Sequence, residues 1–357
     1  MLTDNKKITI SFLGDIALND YYIDAYKKGL NPFQNLQPVL ADSSFVVGNL
    51  ECVAKGELGE NLLKKPRLTT TIETLNYLNT INVNIVSLAN NHIYDHLEDG
   101  FYKTTKFLNN NSIKFLGASQ DQNEADTPQF LTKEGIKLGL LGYVTDDTNP
   151  NLPLDSKVFL NIFDLRKAMI DIEQLKGKVD HIILLLHWGG RVEGGNYPDF
   201  DQPQIAKELI DAGADLIIGH HSHTIQPYEI YKGKYIFYSL GNFCFSDFIF
   251  ENKYHELPSR RNQTIVVNID FTKHNYYVDM NYFKNHFEYY KYDKSYSVKI
   301  QFRNFIFKRI LKIKTIWSIY FFIHKYFMPI VLFIKQKKMG KTEKFLRIYR
   351  WLRRRVK

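Results

Sequence analysis

Seven short runs of nearly continuous apolar residues, at 8–14, 45–48, 83–88, 137–144, 181–186, 215–219 and 235–240, punctuate the first 240 residues, and a polar cluster closes each one. Runs that are apolar at almost every position, instead of every second one, predict strands buried on both faces. Helical spacing appears between them. Residues 203–212 place Ile205, Leu209 and Ile210 on one face behind Pro203 and stop at Gly213, and residues 97–109 space Phe101, Thr105 and Leu108 similarly. Alternation of this kind predicts an α/β fold. Two later runs, 264–271 and 276–283, flank a Lys-His-Asn segment and predict an antiparallel hairpin that closes the domain.

The polar clusters carry the candidate chemistry. Loops after the carboxyl ends of strands in open α/β sheets share one crevice. Here those ends read Gly14-Asp15, Gly48-Asn49-Leu50-Glu51, Ala89-Asn90-Asn91-His92-Ile93-Tyr94-Asp95, His187-Trp188-Gly189-Gly190, Gly219-His220-His221-Ser222-His223 and Gly241-Asn242-Phe243. Two carboxylates, an amide and several imidazoles form a donor set suited to one or two divalent ions of Zn, Mn or Fe, and the lack of a thiolate argues against a closed structural zinc site. On an extended segment, side chains two apart point the same way, so His221 and His223 are expected to face one centre and His220 another direction.

Singly, each cluster has an ordinary explanation: Asp15 as a helix cap, Asn90-Asn91 as a turn, His187-Trp188 as a core pair. Six in this order resemble the motif series of the CapA capsule-synthesis proteins, members of the calcineurin-like metallophosphoesterase superfamily, over roughly residues 8–270. The resemblance implies a four-layer α-β-β-α sandwich in a domain covering 1–295, with a metal site at the strand ends. It implies Asp15 as the first aspartate ligand, Glu51 where a metal-bridging aspartate usually stands, Asn91 as the amide ligand, and His187, His221 and His223 as imidazole ligands. His92 matches the histidine that stabilises the transition state or protonates the leaving group, and Asp95 is spaced to orient it. The first motif normally has a histidine two residues after the aspartate; here Ala17 stands there, so one metal position lacks a ligand.

The activity implied is hydrolysis of a phosphoester or related bond in capsule, poly-γ-glutamate or surface polysaccharide biosynthesis, on a phosphorylated or polymeric substrate. The alternative is a non-catalytic metal- or polymer-binding component of a membrane-bound capsule synthesis or export complex.

Composition changes the picture at one end of the chain. With 357 residues, 44% hydrophobic and 24% charged, the sequence excludes disordered and collagen-like classes, and two cysteines exclude a disulfide scaffold. Residues 301–357 hold 17 lysines and arginines against the single acid Glu343, whereas the first 300 residues hold 30 against 37 acids. Residues 296–357 are therefore expected to form a separate basic, aromatic-rich helical arm suited to an anionic membrane surface. Its apolar stretch, 315–334, has His324 and Lys325 at the centre and Pro329 beyond them, and a mid-bilayer lysine costs about 2.5–3.5 kcal/mol, so in-plane or re-entrant contact is expected instead of a span. A helical hairpin packed on the domain is the plainer alternative. Nucleic acid is not expected as a partner, because a long apolar run favours lipid over a phosphate backbone. Residues 1–7 lack the apolar core and cleavage site of a secretory signal, and the expected location is cytoplasmic, peripheral at the inner face of the cell membrane.

Overall fold

The computed structural model describes residues 6–327 together with 330, 331 and 334. Two compact units divide the chain between residues 304 and 305, inside the helix Lys294–Arg309.

The first unit contains two large sheets. In one, β1 (Ile8–Ile16), β2 (Phe45–Leu50), β3 (Val83–Ser87) and β4 (Lys114–Leu116) run parallel. The other sheet begins with β6 (Gln129–Lys133) and β7 (Ile136–Val144), after the two-residue β5 (Ala118–Ser119), which pairs with β8 (Phe159–Leu160) outside both sheets. It continues with β9 (His181–His187), β10 (Leu216–His220), β11 (Tyr228–Tyr231) and β12 (Lys234–Phe237), in the order β11-β12-β10-β9-β7-β6, with the four inner strands parallel. The chain then returns to the first sheet as β13 (Asn242–Cys244), parallel to the end of β1. After the ribbon of β14 (Phe248–Phe250) and β15 (Lys253–His255), the predicted hairpin adds β16 (Gln263–Phe271) antiparallel to β1, followed by β17 (Tyr276–Asn285) and β18 (Tyr290–Tyr292).

Facing side chains fuse the sheets. Ile10 and Phe12 of β1, Ile265, Val267 and Ile269 of β16, and Leu140, Leu185 and Ile218 of the second sheet belong to one buried cluster. On the outer face of the first sheet, Val46 and Val86 pack with Phe101 and Leu108 of the helix Leu97–Asn110. Outside the second sheet the helices Leu165–Leu175 and Gln202–Ala212 lie against one another, and Leu175 abuts Gly139 of β7. The result is the four-layer α-β-β-α sandwich that the resemblance implies.

One predicted strand divides. Residues 235–240 read as a single apolar run, but β12 stops at Phe237 and residues 238–241 carry the chain from one sheet to the other. Close backbone approach explains the glycines there. A Cβ on Gly14 would stand 1.9 Å from the Gly241 carbonyl oxygen, and one on Gly219 would stand 2.0 Å from that of Tyr238.

Within the second unit, the helix Lys314–Phe322 continues into a π-helical turn, Ile323–Phe327, and Trp317 stacks on Phe321 at 5.1 Å. Among the described residues no helix is long and apolar enough to cross a membrane. The remainder of the expected apolar stretch at 328, 329, 332 and 333, and the basic run from Lys335 to Lys357, lie outside the described residues.

Candidate metal centre

Both sheets contribute to one buried cluster. Asp15 is the last residue but one of β1, Glu51 directly follows β2, His187 ends β9, and His221 and His223 follow β10. Ligand atoms of Glu51, His187 and His221 all lie within 4.8 Å of one another, as do those of Asp15, Glu51 and His223, so Glu51 is common to both triads. Asn91 Oδ1 is 2.9 Å from His187 Nε2, which places the amide on the His187 side. All six predicted ligand residues are therefore brought together. Ala17 is buried in the same region and offers no side-chain donor, leaving the Asp15 side with three candidate ligands and the His187 side, counting Asn91, with four.

Hydrogen bonds fix most of these groups. Asn49 Nδ2 donates to Asp15 Oδ1 at 2.9 Å and lies 3.2 Å from His187 Nδ1, tying β1 to the second sheet. The backbone N–H of His221 donates to Asp15 Oδ2 at 3.3 Å, and His223 Nδ1 lies 2.9 Å from Asn242 Oδ1. His220 turns away, its Nε2 3.2 Å from the Leu13 carbonyl oxygen. The expected division between His220 and its two neighbours is present, but not through an extended segment. His221 and His223 have φ of 88° and 57°, so backbone turns in the left-handed region aim both rings inward after β10 has ended.

Glu51 differs from the rest. Its carboxylate is fully buried, and neither oxygen has a hydrogen-bond partner among the described residues. Its nearest basic atoms are His223 Nε2 at 3.6 Å and His187 Nε2 at 3.7 Å. Burial, then the charge of Asp15, pushes its carboxyl well above the usual range. Burial also holds His187 well below the ordinary histidine value and pushes His221 down to about 4, so both rings are neutral near pH 7 and free to donate lone pairs. For Asp15, burial opposes ionisation, but the hydrogen bond and charge of His223 outweigh it and the carboxyl sits below its ordinary value. An orphaned carboxylate among neutral imidazoles is a donor set that fits a divalent cation.

His92 and Asp95 form a separate pair at the margin. His92 Nδ1 lies 2.6 Å from Asp95 Oδ2, which also accepts the Leu68 N–H at 2.7 Å. Burial lowers the His92 pKa although Asp95 pulls it upward. With Nδ1–H donated to the carboxylate, Nε2 is the nitrogen left to exchange a proton.

Sequence reasoning did not single out Asn49 or Asn242 as site residues, although both belong to the quoted strand-end segments. Asn49 stands two residues before Glu51, and that spacing on a strand end was the available signal.

A family model described as bacterial capsule synthesis protein PGA_cap matches residues 9–247. The capsule biosynthesis protein CapA of Bacillus anthracis is 29% identical over 256 residues, covering 68% of this chain and 61% of that protein. The PGA biosynthesis protein CapA of Bacillus subtilis (strain 168) is 31% identical over 252 residues, covering 67% of this chain and 63% of the relative. The chain thus spans somewhat over three fifths of the length of the curated relatives it matches. Among solved structures, a phosphatase of Mycoplasma pneumoniae aligns over 79% of this chain and 96% of its own, with 12% identity and a TM-score of 0.48. Since the family model covers well over half of the sequence and spans the strand ends that build the cluster, the chain belongs to the PGA_cap family of bacterial capsule synthesis proteins.

Proposed function

We propose that the protein is a metal-dependent hydrolase of a phosphoester or related bond, acting in the synthesis of a capsule, poly-γ-glutamate or another surface polymer. The observation that carries this reading is Glu51, a buried carboxylate shared by two donor triads and without hydrogen-bond partners among the described residues. Asp15, Glu51, Asn91, His187, His221 and His223 would hold one or two ions of Mn, Fe or Zn. Bound there, a divalent ion supplies positive charge that acidifies water and neutralises a developing oxyanion. Asp15 and the imidazoles, fixed by Asn49, Asn242 and the His221 N–H, hold their lone pairs in place without reorganisation. His92, oriented through Nδ1 by Asp95, delivers or accepts a proton at Nε2.

The test is turnover of a panel of phosphoesters and γ-glutamyl amides by protein loaded in turn with Mn, Fe and Zn. Metal-dependent turnover is expected, and His92→Asn should lower kcat by about 10²–10⁴-fold while metal content stays at the wild-type level. No turnover by any loaded form across the panel favours the alternative, a metal- or polymer-binding assembly component.

The second unit supports a peripheral membrane location. It exposes Phe305, Ile313, Ile319, Phe322 and Phe327 in a strongly basic segment, the combination that an anionic lipid surface attracts. In this reading the protein works at the cytoplasmic face of the membrane, beside a synthase or export complex. The full chain should float with anionic vesicles at low salt and not with zwitterionic ones; retention by DNA without flotation would reject the lipid assignment.

A further inference from the structure

Lys64 is a buried cation that the proposed chemistry has not used. It is 4% exposed, and its ammonium makes one hydrogen bond, to the Asn149 carbonyl oxygen at 2.9 Å. No carboxylate lies within ion-pair distance of it among the described residues. An ammonium has three protons to donate, so this one keeps donors in reserve.

Its surroundings place it next to the metal centre. Asn91 Nδ2 donates to the Thr148 carbonyl at 3.1 Å, so Asn91 and Lys64 grip consecutive carbonyls of one loop. The segment carrying Lys64 is pinned to the His92 partner on both sides: the Asn61 N–H donates to the Asp95 carbonyl at 2.9 Å, and the Leu68 N–H to Asp95 Oδ2 at 2.7 Å. Asn61 Nδ2 adds a bond to the Asn151 carbonyl at 2.9 Å. The carboxylates of Asp95, Glu51 and Glu193 lie near enough to act on the charge of Lys64. Residual exposure differs among these buried groups. Asp15 and Glu51 are 0% exposed and His187 1%, whereas Asn91, His92, His223 and Lys64 retain 4–6%. Lys64 thus shares with Asn91, His92 and His223 a small residual exposure that Asp15 and Glu51 lack.

We propose that Lys64 binds an oxyanion of the substrate, a phosphoryl or carboxylate oxygen, beside the candidate metal centre. This deepens the hydrolase reading and rests on it for the position of the substrate. A charge-assisted hydrogen bond from a fixed, poorly hydrated ammonium would orient the anion beside His92. The backbone bonds that hold the Asn61–Leu68 segment would keep Lys64 in register when the anion arrives.

The experiment measures binding of orthophosphate and of γ-glutamylglutamate to the full, Mn-loaded chain by calorimetry, with Mn content determined in parallel. Lys64→Met should keep its Mn and weaken at least one probe by about tenfold or more, and Lys64→Arg should restore most of that loss. Loss confined to orthophosphate assigns a phosphoryl group; loss confined to the dipeptide assigns a carboxylate. Lys64→Gln, which can still donate to Asn149, replaces the methionine variant should that one not fold. Unchanged affinity for both probes in an Mn-replete neutral variant overturns the proposal, as does a wild type that binds neither. So does a loss that tracks Mn content, because Lys64 would then only support the fold of the centre. Turnover is scored separately, so Lys64-dependent anion binding without hydrolysis rejects the hydrolase reading and leaves the anion site standing.

Discussion

Glu51→Gln should yield a protein that is more stable than wild type in the absence of metal and that no longer takes up a divalent ion at the proposed centre. The two effects have one cause. A buried carboxylate with no hydrogen-bond partner is costly to ionise, so exchanging it for a neutral amide should stabilise the metal-free fold by about 1–3 kcal/mol. The same exchange removes the group common to both donor triads, and turnover should fall by about 10³-fold or more. The sign with pH follows from the raised carboxyl pKa. Below the unfolded value both states are protonated and the penalty is absent; as pH rises, the unfolded chain ionises first and wild-type stability falls until the folded group ionises too. The advantage of the variant in chelator should therefore grow between about pH 5 and about pH 8, as read by urea denaturation. A variant less stable than wild type at both pH values, or one that keeps full metal content, would show that Glu51 is satisfied in some other way.

Gly14→Ala should be among the most damaging single-methyl additions in the first unit. The added carbon would meet the Gly241 carbonyl oxygen at 1.9 Å and its carbon at 2.9 Å, both backbone atoms at the passage between the sheets. Neither can swing aside like a side chain, so β13 must separate from β1, and a loss of about 3 kcal/mol or more is expected. Gly135→Ala provides the comparison: its φ is 80° and nothing lies within 4 Å, so it should cost only the roughly 1–2 kcal/mol of left-handed strain. Equal losses in the two variants would show that the β1–β13 contact yields readily.

The strands that hold the centre were legible because they are buried on both faces and hence apolar throughout, as in residues 181–186 and 215–219. Edge strands were harder to see. In β6 only Leu131 is buried while Phe130 is about half exposed, so the apolar signal is thin. The division of 235–240 was hidden because a chain crossing between two buried sheets stays apolar throughout, and only Gly241 marks the turn. At the site, the donor residues announced themselves by chemistry. Their geometry did not: the inward aim of His221 and His223 comes from left-handed backbone, which no spacing rule encodes. Lys64 was silent for a different reason, since a lysine in a polar segment looks solvent-exposed, and its burial comes from tertiary contacts such as the bonds of Asn61 and Leu68 to Asp95.

Because Asp15 and Glu51 descend from one sheet and His187 and His221 from the other, an ion held by these four residues would work as a clasp across the sandwich. Any shear of one layer over its partner changes the bite of the donors before it disturbs the packing outside. Drift in the core of such a protein would surface first as altered metal selectivity, well before it registered as unfolding.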